Sequence, residues 1–138
     1  MDLRSVRSFE GLGDLRLGMS RATVRALLDT GFRPFVKGGV ELDSYDALGF
    51  HLYYDQNEEL EFIEAFEPCE PDYDGVRLLG DETPSVLNKL TELGHEPVDD
   101  ESGYNFPRLG FGLYVPLEHI EAVSIYKRGY YDPIKRCG

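Results

Sequence analysis

A chain of 138 residues with 41% hydrophobic side chains and a formal net charge of −12 is long enough to bury one core and too apolar for a disordered segment. No run approaches the roughly 18–20 apolar residues of a membrane-spanning helix, and the opening "MDLRSVRSFEGLG" has charge without an apolar centre. Neither a span nor a secretory leader is therefore expected, and a cytoplasmic protein is. The acid is concentrated: from Glu41 to Glu101 nineteen Asp or Glu face two basic residues, Arg77 and Lys89, a net of −17, which argues against nucleic acid and anionic membranes and toward a basic protein partner.

In chain order, Leu15 and Leu17 alternate as in a short strand. Ser20 has the character of an N-cap, Val24, Leu27 and Leu28 fall at helical spacing, and Gly31 is the expected stop. Phe32 to Val36 reads as extended and "KGG" as a turn. The segments around Tyr45, from Gly49 to Tyr54 and from Leu60 to Phe66 then read as strands. Residues 67–74, "EPCEPDYD", have prolines and acids without apolar periodicity and read as a linker.

The second half follows the same order. Gly80 matches Gly18, Thr83 is the expected N-cap with Pro84 at the first helical position, and Val86, Leu87, Leu90 and Leu93 form the apolar stripe before Gly94. "FGLYV" answers "FHLYY", and "HIEAVSIY" answers "FIEAF", pairing Tyr114 with Tyr53 and Glu121 with Glu64. The expected fold is α+β: one domain over 1–138, built as a tandem duplication of a strand–helix–antiparallel-meander unit (about 11–66 and 75–131). Helices cover one face of a broad sheet, because a unit of ~60 residues has a marginal core alone and two copies cover each other's edges.

The stretch "LRLGMSRATVRALL", with Leu17-Gly18-Met19-Ser20 opening a helix that carries Val24 and Leu27-Leu28, resembles the start of domains in the small outer-membrane assembly lipoprotein family. It is also similar to the repeats of the β-lactamase-inhibitory proteins, tandem duplications of a helical-hairpin-plus-sheet unit. The resemblance implies an inhibitor-like use of the fold, in which one sheet face stays open to grip a partner. The chain departs from both patterns: it has no lipoprotein signal, one clear helix per repeat, and cysteines not placed as two repeat disulfides. Those departures point away from envelope assembly and from β-lactamase as a target.

Strand alternation turns Leu48, Phe50, Leu52 and Tyr54 to one face and His51, Tyr53 and Asp55 to the other, and likewise opposes Gly112 and Tyr114 to Phe111 and Leu113. The candidate partner-binding residues are thus His51, Tyr53 and Tyr114 on the sheet, with the facing of Glu64 and Glu121 left open. Two loops, Asp72-Tyr73-Asp74 and Asp99-Asp100-Glu101 with Tyr104, join them, because each sets carboxylates beside an aromatic that buries area at little rotamer cost. The expected partner is a cognate basic toxin such as a nuclease. The alternative is a small-ligand-binding or weakly catalytic protein using a concavity between two sheets, with His51 and Glu64 at its centre. A purely structural domain is a third reading.

No catalytic, cofactor or metal site is expected. His51, His95 and His119 have no motif spacing, "DYDG" fails as a calcium loop, and neither a phosphate-cradling loop nor a G-x-S-x-G elbow occurs. Cys69 and Cys137 set no framework and are expected as free thiols. The basic residues near the ends (Arg4, Arg7, Arg16, Arg21, Arg25, Lys127, Arg128, Lys135, Arg136) are expected to pair with the acidic middle of this chain or of a twin subunit, which leaves a homodimer open.

Overall fold

The computed structural model describes residues 1–130 as a mostly-sheet α+β fold; Tyr131, Lys135, Arg136 and Cys137 lie outside the described residues. The chain opens with three two-residue strands, β1 (Val6–Arg7), β2 (Gly11–Leu12) and β3 (Leu15–Arg16), paired antiparallel as a small ribbon. Leu12 and Leu15 are fully buried there. Gly11 has a φ of +144°, and a Cβ on it would stand 2.0 Å from the Leu15 carbonyl oxygen, so no side chain fits.

Helix α1 (Arg21–Leu28) starts where the sequence places it. The Ser20 hydroxyl accepts from the Thr23 N–H at 3.1 Å, and Val24 and Leu28 are buried. It stops two residues before the expected Gly31, because Asp29 itself takes the left-handed position, at φ 42°, which Asp tolerates better than most residues. Four strands follow as a meander: β4 (Arg33–Lys37), β5 (Val40–Tyr45), β6 (Phe50–Tyr54) and β7 (Leu60–Ala65). An extra residue in β7, Glu61, sits opposite the Tyr53/Tyr54 step and lets both Leu60 and Ile63 reach the core.

The expected linker is more ordered than its composition suggests. Cys69 and Pro71 are buried, and β8 (Asp72–Tyr73) makes a hairpin with β9 (Val76–Arg77). Helix α2 (Thr83–Glu92) is followed by Gly94 at φ +92°, as expected, but Thr83 is its first residue, not its cap. The cap position is Glu82, with no side-chain cap bond, because the Thr83 hydroxyl donates instead to the Glu118 carbonyl at 2.7 Å. Leu93 leaves the apolar stripe at 42% exposed. The segment read as an acidic loop is strand too: β10 (Val98–Asp100) pairs with β11 (Gly103–Phe106), before β12 (Phe111–Tyr114) and β13 (Ala122–Tyr126).

Strands β4 to β7 and β10 to β13 form one antiparallel sheet in the order β10-β11-β12-β13-β7-β6-β5-β4. Each meander runs toward the middle, and the two join edge to edge through β7 and β13. The halves therefore share a continuous sheet, and the expected concavity between two separate sheets does not arise. On one face Tyr45, Phe50, Leu52, Ile63, Ala65, Phe111, Leu113, Val123 and Ile125 share a core with Val24 and Leu28 of α1 and Val86 and Leu90 of α2. The other face carries neither helix's buried stripe.

Candidate functional site

Because successive side chains alternate, the ladder registers line up one row across the open face: Arg33, Ser44, His51, Glu64, Ser124, Gly112, Asn105 and Val98. Its interior is polar. Glu64 is the hub, with Oε1 accepting from the Tyr53 hydroxyl at 3.4 Å and lying 3.2 Å from His51 Nδ1. Burial first, then the Glu64 charge and hydrogen bond, push the Tyr53 hydroxyl up to about 12. At one end Ser44 Oγ (2.5 Å) and Arg33 (2.7 Å) donate to Asp46 and hold its carboxyl below the usual range. Toward the other end the Tyr126 hydroxyl donates to Asn105 Oδ1 at 2.8 Å.

Aromatic rings border this row. On one side Tyr53 packs edge-on against Phe62 at 5.3 Å, and Phe62 against Tyr130 at 5.1 Å. On the other, Phe66 lies 4.9 Å from the His51 ring, and Tyr114 stands 43% exposed. Antiparallel geometry puts the matched tyrosines on opposite flanks: Tyr53 is in register with Leu42 and Phe62, Tyr114 with Gly103 and Ala122. Between them an open cleft of about 470 Å³ is lined by Glu64, Ser124, Gly112, Asn105, Tyr114 and Asp100, among others.

Of the sequence-derived candidates, the structure brings His51, Tyr53 and Glu64 into one network and puts Tyr114 and Asp100 around the cleft. Asp99, Asp100 and Glu101 are exposed on the β10–β11 edge hairpin. Tyr104 belongs to both sides: it is among the residues lining the cleft, yet it pairs with Leu113 and also borders a groove with Thr83, Pro84 and Leu87 of α2. Tyr73 also sits on the helix side, its ring 5.2 Å from Phe111 and 5.6 Å from His95. Asp72 is a turn-former, accepting from the Gly75 N–H at 3.0 Å, and Asp74 is exposed beside it. The matching of Glu64 with Glu121 is corrected by the two hairpin registers: Glu64 stands opposite His51 and Ser124 opposite Gly112, so Ser124 takes the corresponding place, and Glu121 is exposed just before β13. Ser124, Asn105 and Phe62 escaped the sequence reading, although strict alternation extended from Gly112 through the neighbouring strands would have found them.

A second polar cluster lies in the core, under α1. Asp43, fully buried, receives both ends of a fork from Arg25 (Nε and Nη2, each at 2.9 Å) and a third bond from Arg21 at 3.3 Å. Burial works against the Arg21 charge, yet its hydrogen bonds to Asp43 and Glu41 outweigh it and leave its pKa raised. Burial, with Asp43 nearby, pushes the Tyr45 hydroxyl up to about 12 and the Tyr54 hydroxyl higher still. Arg21 further pairs with Glu41 and Glu58, Lys127 with Asp55 and Glu61, and Arg4 with Glu70. These basic residues from near the ends of the chain do meet its acidic middle.

Cys69 is a buried free thiol, pushed up to about 11 by burial. Among the described residues no group of three or more His, Cys, Asp or Glu side chains is placed to hold a metal ion, and no helix is long and apolar enough to cross a membrane. The open face offers hydrogen-bond acceptors in its middle and ring surface at its margins, chemistry suited to holding a group. Comparison with protein-family models, with curated proteins and with solved structures finds no match for this chain.

Proposed function

We propose that the chain is a non-catalytic binding protein of the toxin-immunity kind, acting in the cytoplasm, whose open sheet face covers a basic toxin such as a nuclease. The observation that carries this reading is the half-buried row from His51 to Asn105, which neither helix covers, polar in its interior and flanked by Tyr53, Phe62, Phe66 and Tyr114. Aromatic margins around a polar centre supply contact area at low entropic cost, and the net charge of −12 steers a basic partner toward it. The mirrored strand order, each meander ending at the central β7–β13 pair, supports a tandem duplication as the origin of so broad a face.

The test is affinity capture from lysate of the producing organism at low and high salt, followed by an activity assay of the captured protein. The expected result is one basic protein in stoichiometric amount, released by salt and inactive while bound, with capture lowered at least tenfold by joint Tyr53→Ala and Tyr114→Ala substitution. Capture unchanged by that pair would overturn the reading. A small-ligand role rests on the cleft beside Glu64; it requires ligand-dependent thermal shifts that His51→Ala abolishes.

A further inference from the structure

We propose that the cleft beside the centre of the open face is a receptor for an arginine side chain of the partner, seated over Gly112; this deepens the binding reading above and rests on it. Gly112 is the starting point. Its backbone is ordinary strand, with no left-handed φ that would call for glycine, and a Cβ there would press on Asn105 Oδ1 at 3.3 Å and meet the Tyr104 carbonyl oxygen at 3.5 Å and Asn105 Cα at 3.9 Å. A side chain here would crowd the Asn105 amide, and its absence keeps the lining of the cleft low at this point. At the corresponding place in the first meander, the second residue of "FHLY", the chain carries His51, which fills the face and binds Glu64. In "FGLY" the face is left open as a notch.

The walls of the notch select its occupant. Glu64 and Asp100 line it, and among the described residues no Lys, Arg or His does. Each carboxylate is fixed through one oxygen: Glu64 Oε1 by Tyr53 and His51, Asp100 Oδ1 by the Ser102 N–H (2.8 Å) and hydroxyl (3.0 Å). Their second oxygens have no protein partner among the described residues. A carboxylate already oriented by its neighbours takes a charged donor with little further ordering cost. Glu64 and Asp100 lie on strands four steps apart in the sheet, so one seated side chain meets Glu64 while Asp100 faces a second basic group at the rim. The half-exposed Tyr114 ring between them offers the stacking surface that a planar guanidinium uses and an ammonium uses less well. An acidic or neutral side chain would leave both carboxylates uncompensated.

A tri-arginine peptide is the probe, titrated into the full chain at low salt and followed by amide NMR, with tri-lysine and tri-glutamate alongside. The expected result is shifts centred on Gly112, Asn105 and Ser124, at least tenfold weaker for tri-lysine and absent for tri-glutamate. Gly112→Val, which fills the notch, and Glu64→Gln, which keeps its volume, should each weaken binding at least tenfold. The second variant stands if the first proves unfolded by circular dichroism. Shifts that track the exposed acids from Asp99 to Glu101 alone, or equal affinity for the two basic peptides, would overturn the proposal. So would binding that survives Glu64→Gln. Partner capture still lost in the Tyr53/Tyr114 double variant while tri-arginine ignores the cleft would leave the binding face standing and remove only the arginine seat; the converse pattern would keep the seat and remove the toxin partner.

Discussion

Asp43 concentrates what a single residue does for this fold. It occupies a strand position whose neighbours in register, Leu52 and Pro34, are apolar, and it is tolerated there because Arg25 and Arg21 supply three hydrogen bonds. Removing one partner of such a set leaves buried charge unpaired. Asp43→Ala should lower unfolding free energy by roughly 3–5 kcal/mol, read as a drop in denaturation midpoint without change of slope. A surface acid such as Glu101 should move it by under about 0.5 kcal/mol when replaced by Ala. The tyrosines set an alkaline limit. Tyr45 and Tyr53 have hydroxyls raised from about 10 to about 12, so between those values the unfolded chain loses protons that the folded one keeps. Their contribution is whole below pH 10 and is lost as pH rises through 12, at about 1.4 kcal/mol per pH unit for each fully retained proton. Melting temperature should therefore fall steeply above pH 10, in step with tyrosinate absorbance at 295 nm.

The two helices, similar in sequence pattern, are secured differently. Helix α1 has its cap in Ser20, whose hydroxyl also donates to Thr23 Oγ1 at 2.8 Å. Helix α2 has an uncapped Glu82 and instead ties Thr83 to the 118 carbonyl. Ser20→Ala should therefore cost about 1 kcal/mol, whereas Glu82→Ser should add roughly 0.5–1 kcal/mol by supplying the missing acceptor. Equilibrium denaturation of both variants checks the pair, and equal losses would show that the Thr83 anchor, not the cap, governs α2. Ser20 was legible because a hydroxyl before an apolar-periodic run has few other uses. Thr83 was misread for a physical reason: its acceptor lies thirty-five residues away at Glu118, and no local pattern announces a long-range partner that outcompetes the cap.

At the scale of the molecule, the central β7–β13 pair joins the halves. A fragment of residues 1–74 would carry the β4–β7 meander with β7 as a bare edge and α1 as its single helix, exposing a long apolar strand end to self-pairing. It should self-associate or lack a cooperative melt, measured by gel filtration and thermal circular dichroism, and adding residues 75–138 in trans should restore both. A monomeric, cooperatively melting fragment would show that each half holds a sufficient core.

Much of the element order followed from sequence alone. Gly, Ser and Pro punctuation together with the 3.6- and 2-residue apolar periods set α1, α2 and most of the central strands, because those signals depend on neighbours a few residues apart. Alternation likewise placed His51, Tyr53 and Tyr114 on the face away from the core. Tertiary structure decided what depends on distant partners. It turned the linker's Tyr73 onto Phe111 and made the acidic "VDD" an edge strand. It matched Glu64 with Ser124 rather than Glu121, and it buried Asp43 beneath two arginines. Register and burial arise from contacts between segments sixty residues apart, whose energies a local pattern does not contain, and for that reason the open row and its Gly112 notch exist only once the two meanders have met.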